Sequence, residues 1–145
     1  MFFQFSRIQS IIDMGLDQYA YKIKKGLVED TIDIKLWDEE KGEPLHKYDR
    51  HFFYWRKHHD LQGFMENLYH ERGGEEEFNC VCIKLDEKDL DDLEYAVKNR
   101  KLPETTGFFF GSGNTEGYRK DDLKFIRASR KAMKEGYDIL YRSWW

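Results

Sequence analysis

Six side chains in this sequence combine reactive chemistry with aromatic or glycine-rich neighbours: Asp17, Arg56, Lys57, His58, Thr105 and Thr106. Arg56 and Lys57 could hold a phosphate, and Asp17 or His58 could move a proton. Arg56 and Lys57 are adjacent, so on a strand only one of them can enter a given pocket. No nucleophile elbow, kinase signature or metal-carboxylate motif accompanies them. Metal ligation has a poor donor set. Cys80 and Cys82 offer sulfur, and His46, His51, His58, His59 and His70 offer nitrogen, but no two pairs stand at zinc-finger spacing. No metal and no cofactor is expected.

Two ring-rich segments flank these residues. The first, His51 to His59, interleaves aromatics and cations, and Tyr54 or Trp55 could stack on a planar ligand or a guanidinium. The second, Leu102 to Gly113, places Phe108, Phe109 and Phe110 between Gly107 and Gly111. Pro103 ends any preceding helix by about Lys101. On a strand, Phe108 and Phe110 face one way and Phe109 the other. Glycines beside them would let backbone approach a ligand closely, so Phe and Gly could form the wall and lip of a pocket. The glycine spacing matches neither the phosphate loop nor the dinucleotide fingerprint. A helix opens near Tyr118. Arg119 and Lys120 beside its first turn could attract an anion, but Asp121 and Asp122 already favour that end of the dipole.

The elements that must position these residues follow from the hydrophobic pattern. Asp17 to Lys24 alternates, with Tyr19, Tyr21 and Ile23 on one face and Lys22 and Lys24 on the other, the pattern of a half-buried strand. Thr31 to Trp37 alternates again with Ile32, Ile34 and Leu36 inward, so the two runs predict a β-hairpin. Asp38 to His46 reads as a polar loop. A helix follows His59, its buried face carrying Leu61, Phe64, Met65 and Leu68, and Gly73-Gly74 stops it. Phe78 to Leu85 reads as a strand with Cys80 and Cys82 on one face, both reduced and buried. Asp86 and Asp89 form a capping pair for a helix buried through Leu90, Leu93 and Val97. Leu123, Ile126 and Met133 line a last helix, stopped by Gly136, and Tyr137 to Trp145 closes as a strand. The class is α+β: a single mixed or antiparallel sheet of about five strands with about three helices packed against it.

Composition narrows the function classes. The chain has 145 residues, the length of one domain. Charged residues make up 36%, yet the net charge is only −4, which argues against a nucleic-acid backbone as main partner. Aromatic residues reach 17%, so rings should carry much of the packing. No apolar run approaches the ~20 residues that span a bilayer, so no membrane partner is expected.

Four motifs carry a resemblance: Met14-Gly15-Leu16-Asp17-x-Tyr19, Tyr54-Trp55-Arg56-Lys57, Leu102-Pro103-x-Thr105-x-Gly107-Phe108-Phe109-Phe110-Gly111, and Ser143-Trp144-Trp145. Together they resemble a family of small proteins of tailed bacteriophages, including phages of marine cyanobacteria. The resemblance covers residues 14–145 and implies that residues 1–13 are an N-terminal extension of a domain starting at Met14. Some relatives carry a phosphoglycerate-kinase label, but that enzyme needs two α/β domains and this chain has the length of one. The resemblance implies an accessory protein in the cytoplasm of an infected bacterium.

Three function classes remain open. The first is binding without catalysis, of a host protein or a small nucleotide-like ligand. Its expected site is Asp17, Tyr19, Tyr54, Trp55, Arg56, Lys57, His58, Thr105, Thr106, Gly107, Phe108 and Phe110. The second is a small phosphoryl-transfer or nucleotide-hydrolysing enzyme using Arg56 and Asp17. The third is a structural or oligomer-forming protein with Tyr141, Trp144 and Trp145 at a subunit contact.

Overall fold

The computed structural model describes residues 15–105 and 115–145. The extension at residues 1–13, the Met14 start, the strand through Phe109, and the site positions Thr106, Gly107, Phe108 and Phe110 lie outside the described residues. In chain order the elements are β1 (Asp17–Lys24), β2 (Trp37–Asp38), β3 (Glu43–Pro44), β4 (Tyr48–Arg56), α1 (His59–Glu71), β5 (Cys82–Leu85), α2 (Glu87–Lys98), α3 (Thr115–Lys134) and β6 (Tyr137–Trp144). The fold is α+β.

The main sheet runs β4-β1-β6-β5, with every neighbouring pair antiparallel. Helices cover one face. Ala20, Trp55, Ile83, Ile139 and Tyr141 point from the sheet into a core with Leu61, Met65, Leu93, Phe125 and Ile126. The last helix thus buries Phe125 as well as the expected Ile126, while Leu123 and Met133 pack at the margin. α2 starts as its sequence requires: the Asp86 side chain accepts from Asp89 N–H, and Asp89 returns a bond to Asp86 N–H. The chain leaves α1 through Gly73 at φ +89°, a left-handed turn that costs glycine no Cβ clash.

The predicted hairpin does not form. β1 pairs with β4 and β6 instead, and residues 31–36 carry no strand. Their alternation is real, because Ile34 and Leu36 are buried. They are buried as a covering loop, packed with Val28 against Tyr21, Ile23 and Leu140 on the face opposite the helices. Asp33 takes φ +51° and breaks the extended run, while Ile34 N–H donates to Cys82 and Lys84 N–H donates to Thr31 along the outer edge of β5. β1 is therefore buried on both faces rather than half-buried: Gln18 and Ala20 lie under the helices, Tyr21 and Ile23 under the loop.

The strand expected from Phe78 begins only at Cys82. The chain bends at Cys80, which takes φ +63° and is exposed, so only Cys82 is buried. The bend serves the end of β6. The Asn79 side chain accepts from Trp145 N–H and donates to the Trp145 carbonyl, and Cys80 N–H donates to Ser143. Inside the predicted polar loop, β2 and β3 form a two-residue ladder.

Candidate functional site on the open face of the sheet

Strand alternation sorts the aromatic and charged residues onto two faces. Tyr19 in β1 stands opposite Tyr54 in β4 and Arg142 in β6, and Arg142 stands opposite Cys82 in β5. This row crosses the whole sheet on the face away from the helices. The covering loop shields the sheet beyond the row and its Cys82 end, but leaves the Tyr54 end open. The result is a hollow of about 690 Å³, with the row as floor and Leu36, Trp37 and Arg50 among its walls.

Four tyrosines form a continuous belt in this hollow. Ring centroids lie 5.2 Å apart for Tyr54 and Tyr19, 6.3 Å for Tyr19 and Tyr21, and 5.2 Å for Tyr21 and Tyr48. Tyr54 is 51% exposed, and Trp37 is also exposed. The Arg50 guanidinium lies over two rings, 5.6 Å from the centroid of Trp37 and 5.7 Å from that of Tyr48. The lining carries three cations, Lys35, Arg50 and Arg142, against one carboxylate, Glu39. The hollow is thus locally positive on a chain of net charge −4. Among the described residues no carboxylate forms an ion pair with Arg142 or Arg50.

Three phenols of the belt, Tyr19, Tyr21 and Tyr54, are shifted upward. Tyr54 donates to Asp17 Oδ1 at 2.5 Å, and that bond, with some burial, pushes its hydroxyl up to about 12. Burial raises Tyr19 and Tyr21 while the Arg142 charge pulls both back. Burial also pushes the Cys82 thiol up to about 12, so it stays protonated in the floor. At neutral pH the site offers neutral rings, hydroxyl donors and guanidinium groups, a surface suited to a planar anion.

A second polar cluster lies on the helix face. Asp122 of α3 accepts from Trp55 Nε1 at 3.0 Å and lies 2.7 Å from His58 Nε2. His58 is 4% exposed and stacks on Tyr118, with ring centroids 4.3 Å apart at an interplanar angle of 8°. Gln18 accepts from His58 N–H and donates to the His58 carbonyl and to Tyr141. Tyr141 donates to Gln62, whose amide donates to Ser143. Burial pushes the Asp122 carboxyl up, against the opposing pull of His58 and Trp55. A histidine–carboxylate pair can move a proton, but here Tyr118 and the core cover it. Its evident work is to tie α3 to the β4–α1 junction.

The sheet therefore divides the expected site residues. Asp17, Tyr19 and Tyr54 come together on the open face, with Arg56 at its end, 4.0 Å from Asp17. Trp55 is 2% exposed and, with His58, belongs to the opposite face. Lys57 follows in a left-handed turn, φ +58°, and is exposed. Thr105 packs on Gly63 of α1, and its N–H donates to Asp60. Tyr141 is fully buried and cannot sit at a subunit contact, whereas Trp144 is exposed. Sequence reasoning missed Arg142, Tyr48, Arg50 and Trp37 in the hollow. The signal was available: Leu140, Arg142 and Trp144 alternate with Ile139, Tyr141 and Ser143. Among the described residues no three His, Cys, Asp or Glu side chains gather in a metal-binding group, and no helix is long and apolar enough to cross a membrane.

Comparison with known proteins finds no matching family model, curated protein or solved structure.

Proposed function

We propose that this is a non-catalytic binding protein that captures a small, planar, nucleotide-like anion in the hollow on the open face of the sheet. The observation that carries the reading is the tyrosine belt with Arg142 in its floor row and Arg50 over the rings of Trp37 and Tyr48. Aromatic rings supply contact area to a base, and guanidinium groups that pair with no carboxylate among the described residues supply a counter-charge to a phosphate. A volume of about 690 Å³ falls within the range of small-molecule sites. In the setting that the sequence resemblance implies, the cytoplasm of an infected bacterium, such capture would serve host takeover or counter-defence. The His58–Asp122 pair favours an enzymatic reading, a small phosphoryl-transfer or nucleotide-hydrolysing enzyme, but its burial beneath Tyr118 supports binding over turnover.

The test is a thermal-shift and calorimetric panel of nucleotides on the intact chain. A ligand at a hundred times its Kd should stabilise the fold by about 2.7 kcal/mol. It should also slow alkylation of Cys80, which lines the hollow and is exposed. Arg142→Gln should weaken binding at least tenfold without lowering the melting temperature. No shift across the panel, with a host protein recovered instead by pull-down on the Tyr54 and Trp37 face, would replace the ligand by a protein partner.

A further inference from the structure

The hollow is lined by two aromatic groups, each with an exposed ring, Tyr54 in one and Trp37 in the other. The first is the tilted pair Tyr19 and Tyr54, with Arg142 directly across the strand from Tyr19. The second is Trp37 and Tyr48, with the Arg50 guanidinium over both rings. They are joined by Tyr21, which touches both Tyr19 and Tyr48. Each place has its own guanidinium. A mononucleotide would occupy one ring station and one cation, and would leave the other aromatic pair uncovered in water.

Resting on the binding reading above, we propose that the ligand is a dinucleotide: two bases joined through phosphate, one base at Tyr19 and Tyr54, the other at Trp37, Arg50 and Tyr48. The phosphate that joins the bases takes its counter-charge from Arg142 and Arg50. Splayed bases laid over successive aromatics of a sheet face are a recurrent physical solution for short single strands, because every base has a π-face and guanidinium planes stack as well as rings do. Two features limit the length. The covering loop, through Ile34 and Leu36, closes the sheet beyond the second station. The net charge of −4 disfavours a long strand, which requires an extended positive track. The shared chemistry of two bases and a bridging phosphate fits a linear or a cyclic dinucleotide.

The intact protein is titrated by calorimetry with adenosine monophosphate, linear diadenosine phosphate, the cyclic adenine dinucleotide and a long oligoadenylate strand. One additional stacked base should raise affinity about 5- to 150-fold, so at least one dinucleotide should exceed the mononucleotide by that factor. The linear and cyclic arms then identify the source. Trp37→Ala and Tyr54→Ala should each reduce dinucleotide affinity by a similar factor and narrow the dinucleotide-to-mononucleotide ratio toward one. Tyr95→Ala, an exposed ring on α2 outside the hollow, should change neither affinity. Circular dichroism and melting temperature verify that each variant is folded. Equal affinity for mononucleotide and both dinucleotides overturns the two-base assignment and leaves the simpler binding reading standing. Affinity that keeps rising on the long strand also overturns it. Absence of binding by all four overturns both.

Discussion

Replacing Asp122 by alanine removes a carboxylate that joins three elements. Asp122 is 1% exposed and serves Trp55 of β4 at 3.0 Å and His58 before α1 at 2.7 Å. The alanine variant leaves an indole N–H and an imidazole nitrogen buried without that acceptor. Each orphaned group costs about 1–3 kcal/mol. Relief of the carboxylate's own desolvation, the cause of its raised pKa, returns part of this. The expected net loss is about 2–5 kcal/mol, a large fraction of the roughly 5–15 kcal/mol that holds a domain folded. Asp122→Asn keeps the shape: its carbonyl still accepts from Trp55, and its amide can donate to His58 in the other tautomer, so its loss should be about half or less. Urea unfolding followed by far-ultraviolet circular dichroism measures both. A cycle with Trp55→Phe, which removes the N–H donor, isolates the indole bond; its coupling should be about 1–2 kcal/mol. An alanine variant within 0.5 kcal/mol of wild type, or a coupling near zero, would refute the claim that this network fastens α3 to the sheet.

Other perturbations follow from single contacts. Gly63→Ala should destabilise by about 1–2 kcal/mol: a Cβ there would lie 1.9 Å from Thr105 Oγ1, and that overlap outweighs the ~1 kcal/mol gained in helix propensity. Adding Thr105→Ala should restore the melting temperature, which calorimetry would show. Tyr54 is held protonated by Asp17, so its contribution to stability is complete below the unfolded phenol's pKa near 10 and is lost as pH rises through its folded value of about 12. Phenolate absorbance should show one tyrosine titrating earlier in Asp17→Asn than in wild type. A thiol reagent should modify one cysteine in the native protein, Cys80, and the second only after unfolding, because Cys82 is buried and its thiol is pushed up to about 12.

Much of the fold was legible because it depends on local rules. The Asp86 and Asp89 capping box, the Gly73 exit from α1 and the apolar spacing of Leu90, Leu93 and Val97 each act within a few residues. Strand pairing was not local. Ile32, Ile34 and Leu36 carry a true alternation, and nothing within that run says whether it joins a sheet or lies across one. What decided the outcome was distant. Edge positions beside β1 were taken by Tyr48–Arg56 and Tyr137–Trp144, both longer runs with more ladder bonds, and the Thr31 segment was left to bind β5's rim and cover rings.

The candidate site divides along the same line. Reading Tyr54, Trp55, Arg56 and His58 as one cluster treats proximity in sequence as proximity in space. On a strand, neighbours are separated by the thickness of the sheet, so Tyr54 meets Tyr19 and Asp17 while Trp55 meets Asp122 and Phe125. The partners that complete the hollow come from places with no sequence link to Tyr54: Arg142 from the last strand, Trp37 from the two-residue ladder. Each face then has a separate physical task. On the helix face both ends of the Gln18 amide are hydrogen-bonded, to the His58 backbone between β4 and α1 and to Tyr141 of β6, which ties β1 to these elements. The open face leaves Arg142 and Arg50 without carboxylate partners among the described residues. Cations placed among rings with no ion-paired carboxylate among the described residues would favour an anion from outside the chain, and the hydrogen-bonded β1 beneath them would let that anion bind without first ordering its site.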